Sequence, residues 1–297
     1  MSITYPLDAP TVAEGGITVD LMLNEPARIT RYISDLSTQK FFVDQIFSTA
    51  GVSGGALLYD QLLVNDLYTT IDPGIVSPGG EFPMVEQPDR EPKVAKVKKI
   101  GGKFAVTDEA VKRNNPVMLQ QGAQRLANTI RRDVHKLGIA ALEEGIAAAG
   151  DKALSLTSVG WSGTTKTAKS AQTPAGAPIK DFIDLQLKAD ATDLGVTFDT
   201  LILNPADYAN FQLFYGTEAS DILSAYGLTV FSTPLVAAGT GYAVAAGQVG
   251  VMGLESPLST ETWREERIQS VWTQSWVTPA FAVTNPLSIV KISGLSA

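Results

Sequence analysis

Gly51-Val52-Ser53-Gly54-Gly55 matches G-x-S-x-G, the pattern in which a serine on a tight strand-to-helix turn becomes a nucleophile beside a histidine base. Here the match falls between a stretch of helical periodicity and a stretch of extended character, the reverse of that context, so a flexible hinge is the plainer reading. His135 is the only histidine in the chain, and any serine triad would have to use it. It falls on the polar side of a long helical pattern beside Arg131, Arg132 and Lys136. Those cations disfavour its protonation, and nothing in the order of residues brings a nucleophile to it. The plainer reading is a solvated or interface histidine. With no cysteine neither a disulfide nor a thiolate metal site can be built, and a single histidine argues against a zinc site. Gly101-Gly102 lacks the Lys-Ser/Thr that follows in a phosphate-binding loop. Glu143-Glu144 and Glu265-Glu266 are consecutive, so neither pair shares a face for acid–base work. The sequence predicts no catalytic, cofactor or metal residues and a protein that is not an enzyme.

The elements that would position these residues carry more information. Residues 56–68 and 94–107 read as two extended arms separated by the turn residues Asp72-Pro73-Gly74 and Pro78-Gly79-Gly80. An isolated two-stranded ribbon is marginal in water, so this hairpin is expected to lie on something else, and a second copy of the chain is the natural candidate. After Asn115, a capping residue, and Pro116, suited to the first helical position, apolar residues recur at Leu119, Ala123, Leu126, Ile130, Val134, Leu137, Ala141 and Leu142. This predicts one amphipathic helix to about residue 150, roughly 50 Å long. Gly122, Gly138 and Gly145 each cost it about 1 kcal/mol against alanine and are expected to mark close approaches or a bend.

Residues 1–25 read as an extended arm without a core of its own, and residues 26–48 as helix. Residues 151–178 are rich in Ser, Thr, Gly and Ala and read as a junction or mobile loop. Ile179–Ala191 is predicted helical, 200–203 a buried strand, and Asn204-Pro205 the start of another helix. Short strands follow, at 228–232, 242–245, 249–253, 258–263, 268–277, 280–283 and 287–292. Among them Thr262–Ser270 forms a charged turn, predicted to stand on a core containing Trp263, Trp272 and Trp276. If copies meet there, Arg264 and Arg267 of one can pair with Glu265 and Glu266 of another.

The 297 residues suggest about two domains, and no apolar run is long enough to cross a bilayer. MSITYPLDAP has neither the basic nor the apolar region of a signal peptide. The net charge of −8 argues against a dedicated nucleic-acid binder. Residues 88–113 nevertheless hold eight basic side chains against four acidic ones. Edge-strand lysines that deter unwanted pairing explain this; the alternative is that Lys93, Lys96, Lys98, Lys99 and Lys103 meet an acidic neighbour or a packaged polyanion.

In this order the parts resemble the major capsid proteins of tailed bacteriophages, the Hong Kong 97 fold, in the manner of actinobacteriophage siphoviruses. Met1–Ser53 resembles the family's N-terminal arm. Ala56–Lys103 resembles its long E-loop, with Pro78-Gly79-Gly80-Glu81-Phe82-Pro83 near the tip, and Pro116–Ala149 its spine helix. DTLILNPADYANF at 199–211 is similar to an axial-domain strand and helix, Leu258–Val277 to the hairpin called the P-loop, and FAVTNPLSIVKI at 281–292 to the closing strand. The resemblance implies an α+β fold: arm 1–55, E-loop 56–104, peripheral domain 105–178, axial domain 179–257, return strands 258–279, and a C-terminal strand 280–297 returning to the axial domain. It implies hexamers and pentamers tiling an icosahedral shell around double-stranded DNA, bound without sequence specificity. A portal protein and a separate scaffolding protein would be partners, with room for a decoration protein, and a membrane would not. Assembly would take place in the host cytoplasm. The residues facing neighbours would be Glu81, Phe82 and Arg90 in the loop and Arg264, Glu265, Glu266 and Arg267 at the hairpin tip.

Some relatives join an E-loop lysine to a peripheral-domain asparagine. This chain has no lysine from Gln61 to Pro92 and no asparagine between Phe211 and Thr284, so a shell without cross-links is expected. An encapsulin-type nanocompartment is the alternative with the same fold. Those shells usually open with a cargo-binding helix, where this chain reads as extended.

Overall fold

The computed structural model describes residues 19–38, 42–62, 74–84, 92–162, 177–191 and 195–296. In chain order its first half contains α1 (Val19–Asn24), α2 (Pro26–Thr38), α3 (Val43–Ile46), β1 (Ser48–Gly51), β2 (Ala56–Tyr59), β3 (Lys93–Lys96), β4 (Ile100–Thr107), α4 (Asp108–Lys112) and α5 (Pro116–Ala149). The second half contains β5 (Leu154–Thr157), α6 (Ile179–Ala191), β6 (Thr200–Leu203), α7 (Pro205–Tyr215), α8 (Ala219–Ala225), β7 (Thr229–Ser232) and β8 (Thr240–Val244). It ends with β9 (Gly250–Glu265), β10 (Ser270–Val283) and β11 (Ile289–Ser293).

α5 organises the molecule. Its start is the one the sequence predicts: the Asn115 side chain accepts from the Val117 N–H at 3.1 Å, and Pro116 follows in the first turn. Over 34 residues it is about 51 Å long. Its N-terminal half buries Leu119, Ala123, Leu126, Ile130 and Val134 against α1, α2 and β4. Its C-terminal half buries Ile139 and Leu142 in a second core with Phe42, Val43, Ile46, Phe47, Met252 and Val283. The three helix glycines are close approaches. A Cβ would come within 2.4 Å of the Phe104 ring at Gly122, 3.1 Å of Val43 at Gly138, and 2.6 Å of Val283 at Gly145.

Two sheets pack along this helix. One has the order β1-β9-β10-β4 and the other β5-β11-β8-β6-β7. The second is mixed: β6 runs parallel to β7 and antiparallel to β8, while β11 lies between β5 and β8. Residues of β6 are buried on both faces, as a strand covered by layers on either side must be. On one side Leu201 and Leu203 meet Phe182, Leu185 and Phe211 from α6 and α7. On the other, Ile202, Tyr242, Val244 and Ile289 join the core beneath α5. The Tyr242 hydroxyl donates to Glu143 of α5 at 2.7 Å and ties this sheet to the long helix.

Several local expectations change. Residues 19–24 form the helix α1, whose Val19 and Leu23 are buried beside α5; neighbouring apolar surface completes a helix too short to persist alone. Within the junction predicted at 151–178, β5 pairs in parallel with β11 and Trp161 is fully buried. Asp181, itself buried, holds this stretch by accepting from the Ser158 hydroxyl at 2.5 Å, the Val159 N–H at 3.2 Å and Trp161 Nε1 at 2.7 Å. One buried carboxylate thus satisfies three donors that an irregular segment would otherwise leave unpaired.

The strands read separately at 249–253 and 258–263 are the single strand β9, and those at 268–277 and 280–283 are the single strand β10. Pro257 and Pro279 suggest breaks, but the register shifts around Trp276–Pro279 absorb them as bulges. The extended arm read at 94–107 divides into β3, which pairs with β2, and β4, which pairs with β10. The partner arm is strand only over Ala56–Tyr59, and 63–68 lies outside the described residues. α8 carries no strong periodicity and was not expected.

Candidate inter-subunit surfaces

The hairpin β2–β3 is anchored at its base. Gly54 and Gly55 both have positive φ with open space around them, which suits a sharp exit from β1. The Gly55 N–H donates to Glu255 Oε1 at 3.0 Å, Val97 N–H to Gly55 O at 3.1 Å, and Lys98 N–H to Pro279 O at 3.0 Å. Tyr59, Val94 and Ala95 face Leu137, Ala140, Ala141 and Glu144 of α5 across a shallow crevice of about 160 Å³. Lys93 Nζ donates to Gln61 Oε1 within the same chain.

Beyond this base, residues 74–84 are neither helix nor strand and contain a turn closed by Gly80 N–H to Ser77 O at 2.8 Å, with Gly79 at φ +85°. Ile75, Phe82 and Met84 are 107, 81 and 83 % exposed. Glu81 is exposed in the same segment. Arg90 lies outside the described residues.

At the far end of the four-stranded sheet, β9 and β10 meet in a short 3-10 turn, Glu266–Ile268, followed by Gln269 in the left-handed conformation at φ +47°. Arg264 reaches Asp108 at the start of α4 at 2.6 Å and Glu266 at 3.8 Å. The hydrogen bond from Arg264 holds the Asp108 carboxyl below its ordinary range and raises the guanidinium in turn. Asp108 N–H also donates to Gln269 O at 3.0 Å, so the tip is clipped to α4 twice. Within the subunit Arg264 therefore acts as a strut. Glu266, Arg267 and Ile268 are the groups that project to solvent, and Glu265 is half-buried.

The tryptophans do not lie where the sequence reading put them. Alternation along β9 and β10 sends Thr262, Val271, Thr273 and Val277 toward α5 and its neighbours. The same alternation leaves Trp263, Trp272 and Trp276 on the opposite, outward face, where they are half-buried. Trp263 and Trp272 stack at 6.4 Å and 13°. Lys103 Nζ stands 4.6 Å from the Trp272 ring and 5.9 Å from Trp263, and Lys99 Nζ 4.7 Å from Trp276. β4 is an edge strand, as the lysine run suggested, but its Lys103 and the preceding Lys99 also cap indole faces in cation–π contact. Side-chain alternation groups the three indoles on one face without saying which face α5 covers, and the density of tryptophan pointed misleadingly to a core.

Ser53 is exposed in the loop between β1 and β2 rather than on a strand-to-helix turn. His135 is buried, contrary to the solvated reading, with its ring 4.2 Å from Phe42. Desolvation, with Arg131 one turn away, pulls its pKa down to about 4. Among the described residues no group of three His, Cys, Asp or Glu could hold a metal ion, and no helix is long and apolar enough to cross a membrane.

A family model described as phage capsid protein matches residues 90–292. No curated protein sequence matches the chain. Among solved structures, the virus-like particle from Pyrococcus furiosus is similar over 91 % of this chain and 100 % of its own, at 15 % identity and a TM-score of 0.63. A chain of the capsid structure of cyanophage P-SCSP1u aligns over 86 % of this chain and 88 % of its own, with 12 % identity and a TM-score of 0.57. A chain of Mycobacterium phage Bobi aligns over 86 % and 90 %, with 14 % identity and a TM-score of 0.56. At these identities the likeness is one of fold, and the fold is of the Hong Kong 97 type.

Proposed function

Because the chain belongs to the phage capsid protein family, in which it is a shell protein of the virion, we propose that it assembles as hexamers and pentamers into an icosahedral head around double-stranded DNA. The observation that carries this reading is the segment 74–84. It places three large apolar side chains almost wholly in water, and an apolar strip held away from its own core marks a surface meant for another chain. The net charge of −8 suits a shell that contains DNA without gripping it, since each phosphate contact would add affinity and salt dependence. The protein is a structural element and not an enzyme. It works with a portal and with scaffolding in the host cytoplasm, with room for a decoration protein on the finished shell.

The shell is held by contact rather than by covalent bonds. No lysine occurs from Gln61 to Pro92, Lys93, the first in the return strand, is engaged by Gln61, and no asparagine lies between Phe211 and Thr284. Denaturing gels of mature particles are expected to show one band at the 31.5 kDa subunit mass; a ladder of multimers would overturn this.

The full-length match to the Pyrococcus furiosus virus-like particle supports a second reading, an encapsulin-type compartment. Electron microscopy of purified particles distinguishes the two. DNA-filled heads bearing tails support the first, small shells holding protein cargo the second, and no shell at all refutes both.

A further inference from the structure

The longest free strand edge among the described residues is that of β4, eight residues at the end of the four-stranded sheet. Two bonds frame its ladder with β10, Asp108 N–H to Gln269 O and Lys98 N–H to Pro279 O. Both keep the register of the pairs between them. The even-numbered residues of β4 therefore bond to β10, and the N–H and C=O groups of Gly101, Lys103 and Ala105 point to the open edge. Beside that edge runs the N-terminal half of α5. Between the two lies an open groove of about 450 Å³, lined by the backbone of residues 101–105 and by Met118, Gln121, Gly122, Arg125 and Thr129. An edge strand beside a helix suits an extended peptide: main-chain bonds to the edge hold it, and the groove sorts its alternate side chains.

Charge selects the occupant. The groove is lined by Lys103 and Arg125 and by no carboxylate, and Lys99 lies on the same face as Lys103, over the neighbouring indole. Two copies meeting edge to edge would set these lysines against lysines, which disfavours self-pairing. The chain's own segment 74–84 carries Glu81, but Pro78 and Pro83 are an odd number of residues apart. In either register one of them would face the ladder without an N–H. We infer that β4 and α5 form a receptor for an extended acidic segment of a separate protein. That segment adds to β4 as a fifth strand, with carboxylates over Lys99 and Lys103 and apolar side chains toward Met118 and Gly122. It thus alternates acidic and apolar residues, the period of a strand with two unlike faces. The lysines guard the edge against copies of itself and admit a strand of opposite charge. The inference goes beyond the shell reading, since it concerns a partner met by the unassembled subunit.

Unassembled full-length protein is titrated with the acetylated peptide Glu-Val-Glu-Val-Glu-Val-Glu-Val and followed by amide exchange in NMR spectra. Saturable binding should slow exchange at Gly101, Lys103 and Ala105 by about tenfold or more, because these amides gain partners. Gly102 and Phe104, already bonded to β10, should change little. Lys103→Glu should weaken binding about tenfold. Ala105→Pro removes an N–H that the ladder with β10 does not use, so its circular dichroism should match wild type while binding is lost. If that variant misfolds, Lys103→Glu still decides. A peptide with lysine in place of each glutamate should not bind. No binding, binding without protection of the three amides, or equal binding by Lys103→Glu would overturn the inference. So would a peptide of residues 1–18 that protects the same amides at lower concentration, since the occupant would then be a second copy of this chain. Electron microscopy of particles tests the shell reading separately, so neither failure implies the other.

Discussion

Gly145→Ala measures how tightly α5 is seated on β10. Alanine gains about 1 kcal/mol over glycine in a helix interior, so an unobstructed site would be stabilised. At Gly145 the new methyl would stand 2.6, 2.9 and 3.1 Å from Cγ1, Cβ and Cγ2 of Val283. Val283 is buried, and its branched Cβ is fixed to the strand backbone with little rotamer freedom. The helix or the strand must therefore move, and overpacking of this kind costs about 1–3 kcal/mol. With the clash at Cβ itself, the upper part of that range applies, and the net loss is about 1–2 kcal/mol. Gly138→Ala is the internal control. It carries the same helical gain, but its methyl meets only the two Cγ atoms of Val43, at 3.1 and 3.3 Å. It should lie within about 0.5 kcal/mol of wild type. Urea unfolding of unassembled subunits, followed by circular dichroism, gives both values if the slopes are unchanged. Gly145→Ala as stable as wild type, or less destabilising than Gly138→Ala, would refute the close approach.

His135 should make stability depend on pH. Its pKa is depressed to about 4 in the folded chain from 6.5, so the unfolded state binds more protons between those values and stability falls as pH drops through that window. His135→Leu should flatten the unfolding midpoint against pH between about 6 and 4 relative to wild type; parallel curves would count against burial of a neutral ring. Asp181→Ala removes the acceptor of three donors, including Trp161 Nε1, and should cost about 2–4 kcal/mol, read from Trp161 emission during unfolding. Asp108→Asn should loosen the hairpin tip, seen as faster amide exchange at Asp108, whose N–H is held by Gln269 O; unchanged exchange would show that the ion pair does not support the tip.

Much of the fold was legible. The capped start of α5, the bounds of α6 and β6, and the helix opened by Asn204-Pro205 all follow from local signals, because capping and periodicity act within one or two turns. Asn204 caps α7 by accepting from Ala206 N–H at 2.9 Å, which its neighbours alone predict. Less was legible wherever a partner distant in sequence decides. β5 is a strand because β11, more than a hundred residues later, supplies its ladder. β9 stays continuous through Pro257 because it bulges against β10, carrying extra residues between Ser259 and Leu254 while its pairing resumes on either side. Of the groups read as neighbour-facing, Glu81, Phe82, Glu266 and Arg267 are exposed in the subunit, whereas Arg264 pairs with Asp108 of its own subunit.

By itself the sequence determined which segments the chain contains and where they end. Proline, glycine and capping residues mark the ends of the long helix and hairpin. Only the tertiary structure decided which faces those segments present. The tryptophans of β9 and β10 could belong to a core or to an outer surface, since alternation places them together but does not say which side α5 covers. His135 likewise sits on a helix that is amphipathic by pattern, yet the 42–47 segment closes over it and leaves it buried against Phe42. Periodicity sorts side chains into faces; which face meets water depends on what packs against it, and that is settled by contacts between residues far apart in the chain.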